Sequence, residues 1–195
     1  MKRYWLFPLF VAATLAPAVA QEVERPFPAD WYAGKPAQQA LHAEMEGGPM
    51  PPLALEDWIN GQPGPEDLAG KIVVVDYWAI WCAPCMASIP KKNEMAQNHA
   101  DDGVVVVGVY GSRIGAEKFR KVVQDNKIAY PVGRDASGDN VKAWRAMWMP
   151  TYAVVDRKGV VRAIGLTGFD RVQEVVAQIL EEQPVDSEAK ASASG

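Results

Sequence analysis

The sequence predicts an α/β fold: one central mixed sheet with helices on both faces, plus an N-terminal extension and a hairpin. Three observations predict it. The core elements run strand, helix, strand, helix, then hairpin and helix. The runs "KIVVVDYW" and "GVVVVGVY" are apolar on both faces, as in strands covered from both sides. The two cysteines of the chain, Cys82 and Cys85, fall at the seam between the first of these strands and the next helix. With 195 residues, 49% of them hydrophobic, the chain supports the core of one domain, and it holds no internal repeat.

The elements follow in order. Residues 1–20, "MKRYWLFPLFVAATLAPAVA", join Lys2 and Arg3 to an apolar run that ends on small residues, the pattern of an export signal cleaved before Gln21. A spanning helix needs about 20 apolar residues, and this run is interrupted by Pro8 and Pro17. No cysteine follows to carry a lipid anchor. Cleavage removes one Lys and one Arg and no acid, which moves the net charge from −4 to −6 and argues against nucleic acid as a partner.

Residues 21–52 form a proline-rich extension in which "PAQQALHAEME" is a short helix, started by Pro36, ended by Gly47 and Gly48, and expected to be a surface appendage. The core domain spans 53–183. Its lead-in, "LALEDWINGQPGPEDLAG", reads as a hairpin with turns at Asn60-Gly61 and near Gly70. The β-branched residues 72–75 are the first buried strand. After the cysteines, "MASIPKKNEMAQNHA" is helical to about Ala100, with a kink at Pro90. Residues 103–110 are the second strand. "GAEKFRKVVQDN" turns Phe119, Val122 and Val123 to one helical face, and "DNVKAWRAM" is a further short helix. "TYAVVD" and "VVRAIGL" make an antiparallel hairpin through Arg157-Lys158-Gly159. The closing helix, "FDRVQEVVAQILEE", spaces Val172, Val175, Val176 and Ile179 for the core, and residues 184–195 are a polar, disordered tail.

A Cys-x-x-Cys pair beside an α/β pattern is a redox motif on mechanical grounds. At the first turn of a helix, the sulfur of Cys82 meets unpaired backbone N–H groups and the positive end of the helix dipole, which favour thiolate. Cys82 is therefore the expected nucleophile, uncovered to solvent, and Cys85, one turn inside, the shielded resolving thiol. A structural disulfide closing so small a ring would contribute only about 2 kcal/mol. A zinc site wants four ligands, and the chain adds only His42 and His99, 57 positions apart. Both histidines read as surface residues, and Met86, Met95, Met147 and Met149 as core filler. Trp78 reads as core and Trp81 as a ring stacked beside the pair, limiting access to it. Trp144 and Trp148 fit either core or rim.

The segment "VDYWAIWCAPC", with Asp76 six residues before Cys82, Pro90 five after Cys85, "WMPT" at 148–151 and the "VVDRKGVVRAIG" hairpin, resembles the thioredoxin superfamily. The export signal and lead-in are similar to its TlpA/ResA branch of exported thiol-disulfide oxidoreductases. The resemblance covers roughly residues 50–182 and implies a thioredoxin-like fold. It implies that Pro150 is a cis-proline facing the cysteines, and that Trp81, Ala83, Pro84, Met149 and Thr151 border the bound client. Asp76, in an apolar strand, is the implied acceptor of the Cys85 proton, burial disfavouring its charged form. One departure stands out: thioredoxins pair that acid with a lysine on the next strand, and "VVVVGVY" has none.

The expected function is reduction of disulfides in exported, periplasmic client proteins of the cytochrome c or copper-site maturation type. The resemblance implies no cofactor beyond the redox-active Cys82–Cys85 disulfide, and recharging by a membrane electron donor of the DsbD/CcdA kind. A disulfide oxidase is disfavoured because Ala83-Pro84 places no charge or donor between the cysteines. A copper metallochaperone using the same cysteines and a methionine is the alternative from another class, and a peroxide reductase a weaker one.

Overall fold

The computed structural model describes residues 24–184. The expected export signal and all but the first residue of the expected tail lie outside them. Six strands form one sheet in the order β1-β4-β3-β2-β5-β6: β1 Glu56–Ile59, β2 Ile72–Trp78, β3 Val104–Tyr110, β4 Val132–Arg134, β5 Thr151–Val155 and β6 Val161–Ile164. Strands β2, β3 and β4 run parallel, while β1, β5 and β6 are antiparallel to their neighbours, so the sheet is mixed, as expected.

The central strand β2 is buried along its whole length, and its alternation assigns residues to two cores. Ile72, Val74 and Trp78 share one core with Cys82, Cys85, Phe119 and the closing helix α7 (Phe169–Glu182), whose Val172, Val175, Val176 and Ile179 are all buried. Each such side chain contributes roughly 1.5–3 kcal/mol when fully buried. Val73, Val75 and Tyr77 face the other core, with Trp144, Ala146 and partly buried Met45, Met50, Leu53, Leu55 and Trp58. Asp76 occupies the apolar register of the first face.

The long helix expected after the cysteines is two helices, α3 (Ala83–Ala87) and α4 (Ile89–Asn98), hinged at Ser88. Pro90 lies in the first turn of α4, where its missing N–H costs nothing. Helices α5 (Phe119–Asp125) and α6 (Asp139–Ala143) and the β5–β6 hairpin stand where the sequence puts them.

Three expectations are corrected. The lead-in is not a hairpin: β1 crosses to the far edge and pairs with β4, a three-residue strand too short to announce itself in sequence. The four-residue helix α2 (Pro65–Leu68) bridges β1 to β2. The N-terminal extension is no surface appendage. Its helix α1 (Pro36–Ala43) forms as expected, but the chain around it runs along β6, with β-bridges Tyr32–Leu166 and Pro49–Val160, and buries Phe27 and Tyr32. Arg25 and Glu46 form an ion pair, their side chains 6% and 5% exposed, and both bond the backbone of Ile164. His42, expected at the surface, is wholly buried beneath this strap. His99 is half-buried and paired with Asp102.

Candidate active site

Strand β2 ends at Trp78, and the turn 79–82 brings the chain back into α3 with Cys82 as its N-cap. The cap works through sulfur: Cys82 Sγ accepts the Cys85 backbone N–H at 3.3 Å. An N–H aimed at that sulfur also favours the thiolate once the bond to Cys85 opens. The two cysteines form a disulfide with Cα atoms 5.3 Å apart. In this state Cys82 is only 3% exposed. The uncovered sulfur that the sequence leads one to expect is therefore not a feature of the disulfide state, in which the bond ties Cys82 back to the buried Cys85. The exposed surface belongs to the neighbours Trp81, Ala83 and Pro84.

Trp81 is 56% exposed, and its indole N–H donates to Ser112 Oγ at 3.2 Å. The ring is thus tied to the loop after β3 and forms a rim, where the sequence suggests a stack on the pair. The same Ser112 hydroxyl accepts the Ile114 N–H, and Tyr110 donates its hydroxyl to the Ile114 carbonyl, which holds an exposed Ile114 beside that rim. Trp78 and Trp144 are core.

The segment before β5 carries Met149, which packs against the buried cluster that holds Cys82 and Cys85. The Met149–Pro150 peptide bond is cis, and both residues are half-buried. Thr151, placed among the client-bordering residues by resemblance, is fully buried, with its hydroxyl donating to the Trp148 carbonyl at 2.6 Å. It braces the segment 148–150 from inside, and its full burial keeps its side chain from a client.

Beneath the cysteines lies a polar network. Asp76 is fully buried, and Lys92 on α4, 1% exposed, donates to its Oδ2 at 2.5 Å. Tyr130 adds a longer contact to the same oxygen at 3.4 Å, while Asp76 Oδ1 has no hydrogen-bond partner among the described residues. Lys92 also donates to the Cys85 carbonyl at 3.3 Å, which accepts the Ser88 hydroxyl at 2.9 Å as well. Ser88 Oγ in turn meets Tyr152 Oη at 3.1 Å. Burial first, and the nearby Asp76 charge second, hold the Tyr130 and Tyr152 hydroxyls well above their usual range. Both stay protonated, as donors. Stranding one charge here would cost several kcal/mol, so the cation and the carboxylate require each other.

The lysine missing from β3 therefore arrives from a helix. Its sequence signal is the spacing Ile89, Lys92, Met95 along α4: two apolar positions on the same buried face flank the lysine and make it a core-facing residue. Tyr130, Ser88 and Ser112 carry no comparable signal, since a single hydroxyl in a loop or hinge has no periodicity to mark it.

A Cys-x-x-Cys disulfide whose first sulfur caps a helix, on a thioredoxin-like sheet, marks a thiol-disulfide oxidoreductase. The Redoxin family profile matches residues 45–179, and the chain belongs to that family. It is 26% identical over 135 residues to the sporulation thiol-disulfide oxidoreductase A of Bacillus subtilis, covering 67% of this chain and 78% of that one. It is 27% identical to the thiol-disulfide oxidoreductase ResA of Oceanobacillus iheyensis, covering 60% and 62%. Among solved structures, a putative thiol:disulfide interchange protein DsbE from Chlorobium tepidum superposes with a TM-score of 0.58 at 27% identity, covering 70% of this chain and 96% of that one.

Proposed function

We propose that this enzyme reduces disulfides of exported client proteins. Cys82 thiolate attacks a client disulfide, one client sulfur leaves as a thiolate and takes up a proton, and a mixed disulfide remains. Cys85 then gives its proton to Asp76 and attacks Cys82 Sγ. The second client sulfur leaves, and the client has gained the two electrons that the Cys82–Cys85 pair has lost. No cofactor beyond this pair takes part. A membrane electron donor of the DsbD/CcdA kind, acting on an exported chain, returns the pair to the dithiol.

The observation that carries this reading is the Lys92–Asp76 pair placed one hydrogen bond from the Cys85 carbonyl. As the Cys85 proton moves to Asp76, negative charge moves from carboxylate to thiolate while Lys92 keeps its positive charge. The cluster stays neutral throughout, and no uncompensated charge is buried at any step. Ala83 and Pro84, between the cysteines, add no charge that would over-stabilise the thiolate, which favours the reducing direction.

The test is reduction of insulin by dithiothreitol. Wild type accelerates it, Cys82→Ser abolishes the acceleration, and Cys85→Ser traps a mixed disulfide with insulin. A reduction potential near thioredoxin's, about −270 mV, supports a reductase, and one near −120 mV assigns an oxidase instead.

A further inference from the structure

The strap formed by the N-terminal extension does more than cover the sheet, because it converges on the segment that leads into Met149–Pro150. Arg145 has a left-handed backbone (φ 50), a conformation that a non-glycine residue holds only when its surroundings impose it. Those surroundings come largely from the extension. The Arg145 guanidinium donates to the Leu41 carbonyl and pairs with Glu44 at 2.7 Å. The Arg145 carbonyl accepts twice: from the Met147 N–H at 2.9 Å and from His42 Nε2 at 2.8 Å. The imidazole also packs against Trp148, ring centres 5.1 Å apart. Gly34 lies so close to that indole that a Cβ would meet it at 2.7 Å.

His42 is the centre of this contact. It is wholly buried, and its Nδ1 has no hydrogen-bond partner among the described residues. Burial lowers its pKa and outweighs the bond to the Arg145 carbonyl, which raises it; the carbonyl can only accept, so Nε2–H is the donor. A residue kept only to fill space would not leave a buried ring nitrogen unpaired. An aliphatic side chain would fill it at less cost. What the imidazole adds over such a side chain is the single bond to Arg145.

We propose that His42 is a positioning residue: it holds the 145–148 turn, and through it the Met149–Pro150 segment, in the shape against which a protein client docks. This rests on the reading that the segment receives a client. The test compares two substrates on the full chain. Insulin needs the segment, whereas 5,5′-dithiobis(2-nitrobenzoate) needs only the reduced Cys82. His42→Leu keeps the burial and loses the bond. It is expected to raise KM for insulin between about threefold and tenfold, the equivalent of one buried hydrogen bond, with the small-disulfide rate within about twofold of wild type. His42→Gln, whose amide can still donate, restores most of the insulin KM. Arg145→Gly removes the tether to Leu41 and Glu44 while tolerating the positive φ, and it reproduces the insulin defect even if His42→Leu fails to fold. Equal losses on both substrates, or an unchanged insulin KM in His42→Leu and Arg145→Gly, overturn the proposal. Inactivity of wild type toward both substrates instead overturns the functional reading beneath it.

Discussion

At the scale of single residues, the chemistry turns on Lys92. Lys92 holds the fully buried Asp76 carboxylate through a 2.5 Å hydrogen bond, and removing that cation leaves a buried acid without the charge that balances it during proton transfer. Lys92→Met is therefore expected to leave the first attack by Cys82 intact and to slow resolution about tenfold or more at pH 7, the effect of losing a matched base. Quenched-flow gels measure it as accumulation of the mixed disulfide. Resolution at the wild-type rate would remove Lys92 from the proton path. The acid was legible from its place in "IVVVDYW", and its cation was half-legible, since helical spacing puts Lys92 on the core face. The burial of Cys82 was not legible. It depends on how the disulfide and the turn around it lie in three dimensions.

At the scale of elements, the network needs β3 and β4 to approach closely at Gly108. Gly108 pairs with Asp76 across β2–β3, and a Cβ there would come within 2.4 Å of Val132 Cγ1 and 3.1 Å of the Tyr130 ring. The strand side chain of Val132 has little freedom to yield. Gly108→Ala is expected to destabilise the fold by about 1–3 kcal/mol through overpacking, measured by urea unfolding, and to displace Tyr130 from Asp76. Stability equal to wild type would show that the two strands can part at no cost. The long apolar strands β2 and β3 and the amphipathic α7 were written plainly in the sequence. Strand β4 and the β1–β4 pairing were not, because three residues show no alternation and strand order is a property of the assembled sheet.

At the scale of the whole molecule, the extension behaves as part of the core, and its acid sensitivity should reveal it. The His42 pKa is lowered from its ordinary 6.5 by burial. Between its folded value and 6.5, the unfolded chain binds a proton that the folded chain does not, so stability rises with pH across that window. The contribution is complete above about pH 6.5 and is lost as pH falls through the folded value. The melting temperature of His42→Gln should therefore fall less steeply than that of wild type as pH drops below 6.5, as followed by circular dichroism. Parallel acid profiles would mean that the folded and unfolded chains bind a proton at His42 equally well, which would remove the effect of burial. Among the described residues no helix is long and apolar enough to cross a membrane.

The sequence by itself determined the α/β class, the two buried parallel strands, the closing helix and the dithiol at a helix start. Each rests on local periodicity or on spacing within a few turns of chain, which physics reads without knowing the fold. Only the tertiary structure decided that Lys92 answers Asp76, that Thr151 braces from within, and that the extension with His42 grips the 145–148 turn. Those contacts join residues 16 to 103 positions apart or depend on which way a paired strand faces, and no one-dimensional pattern records how strands and helices are brought together.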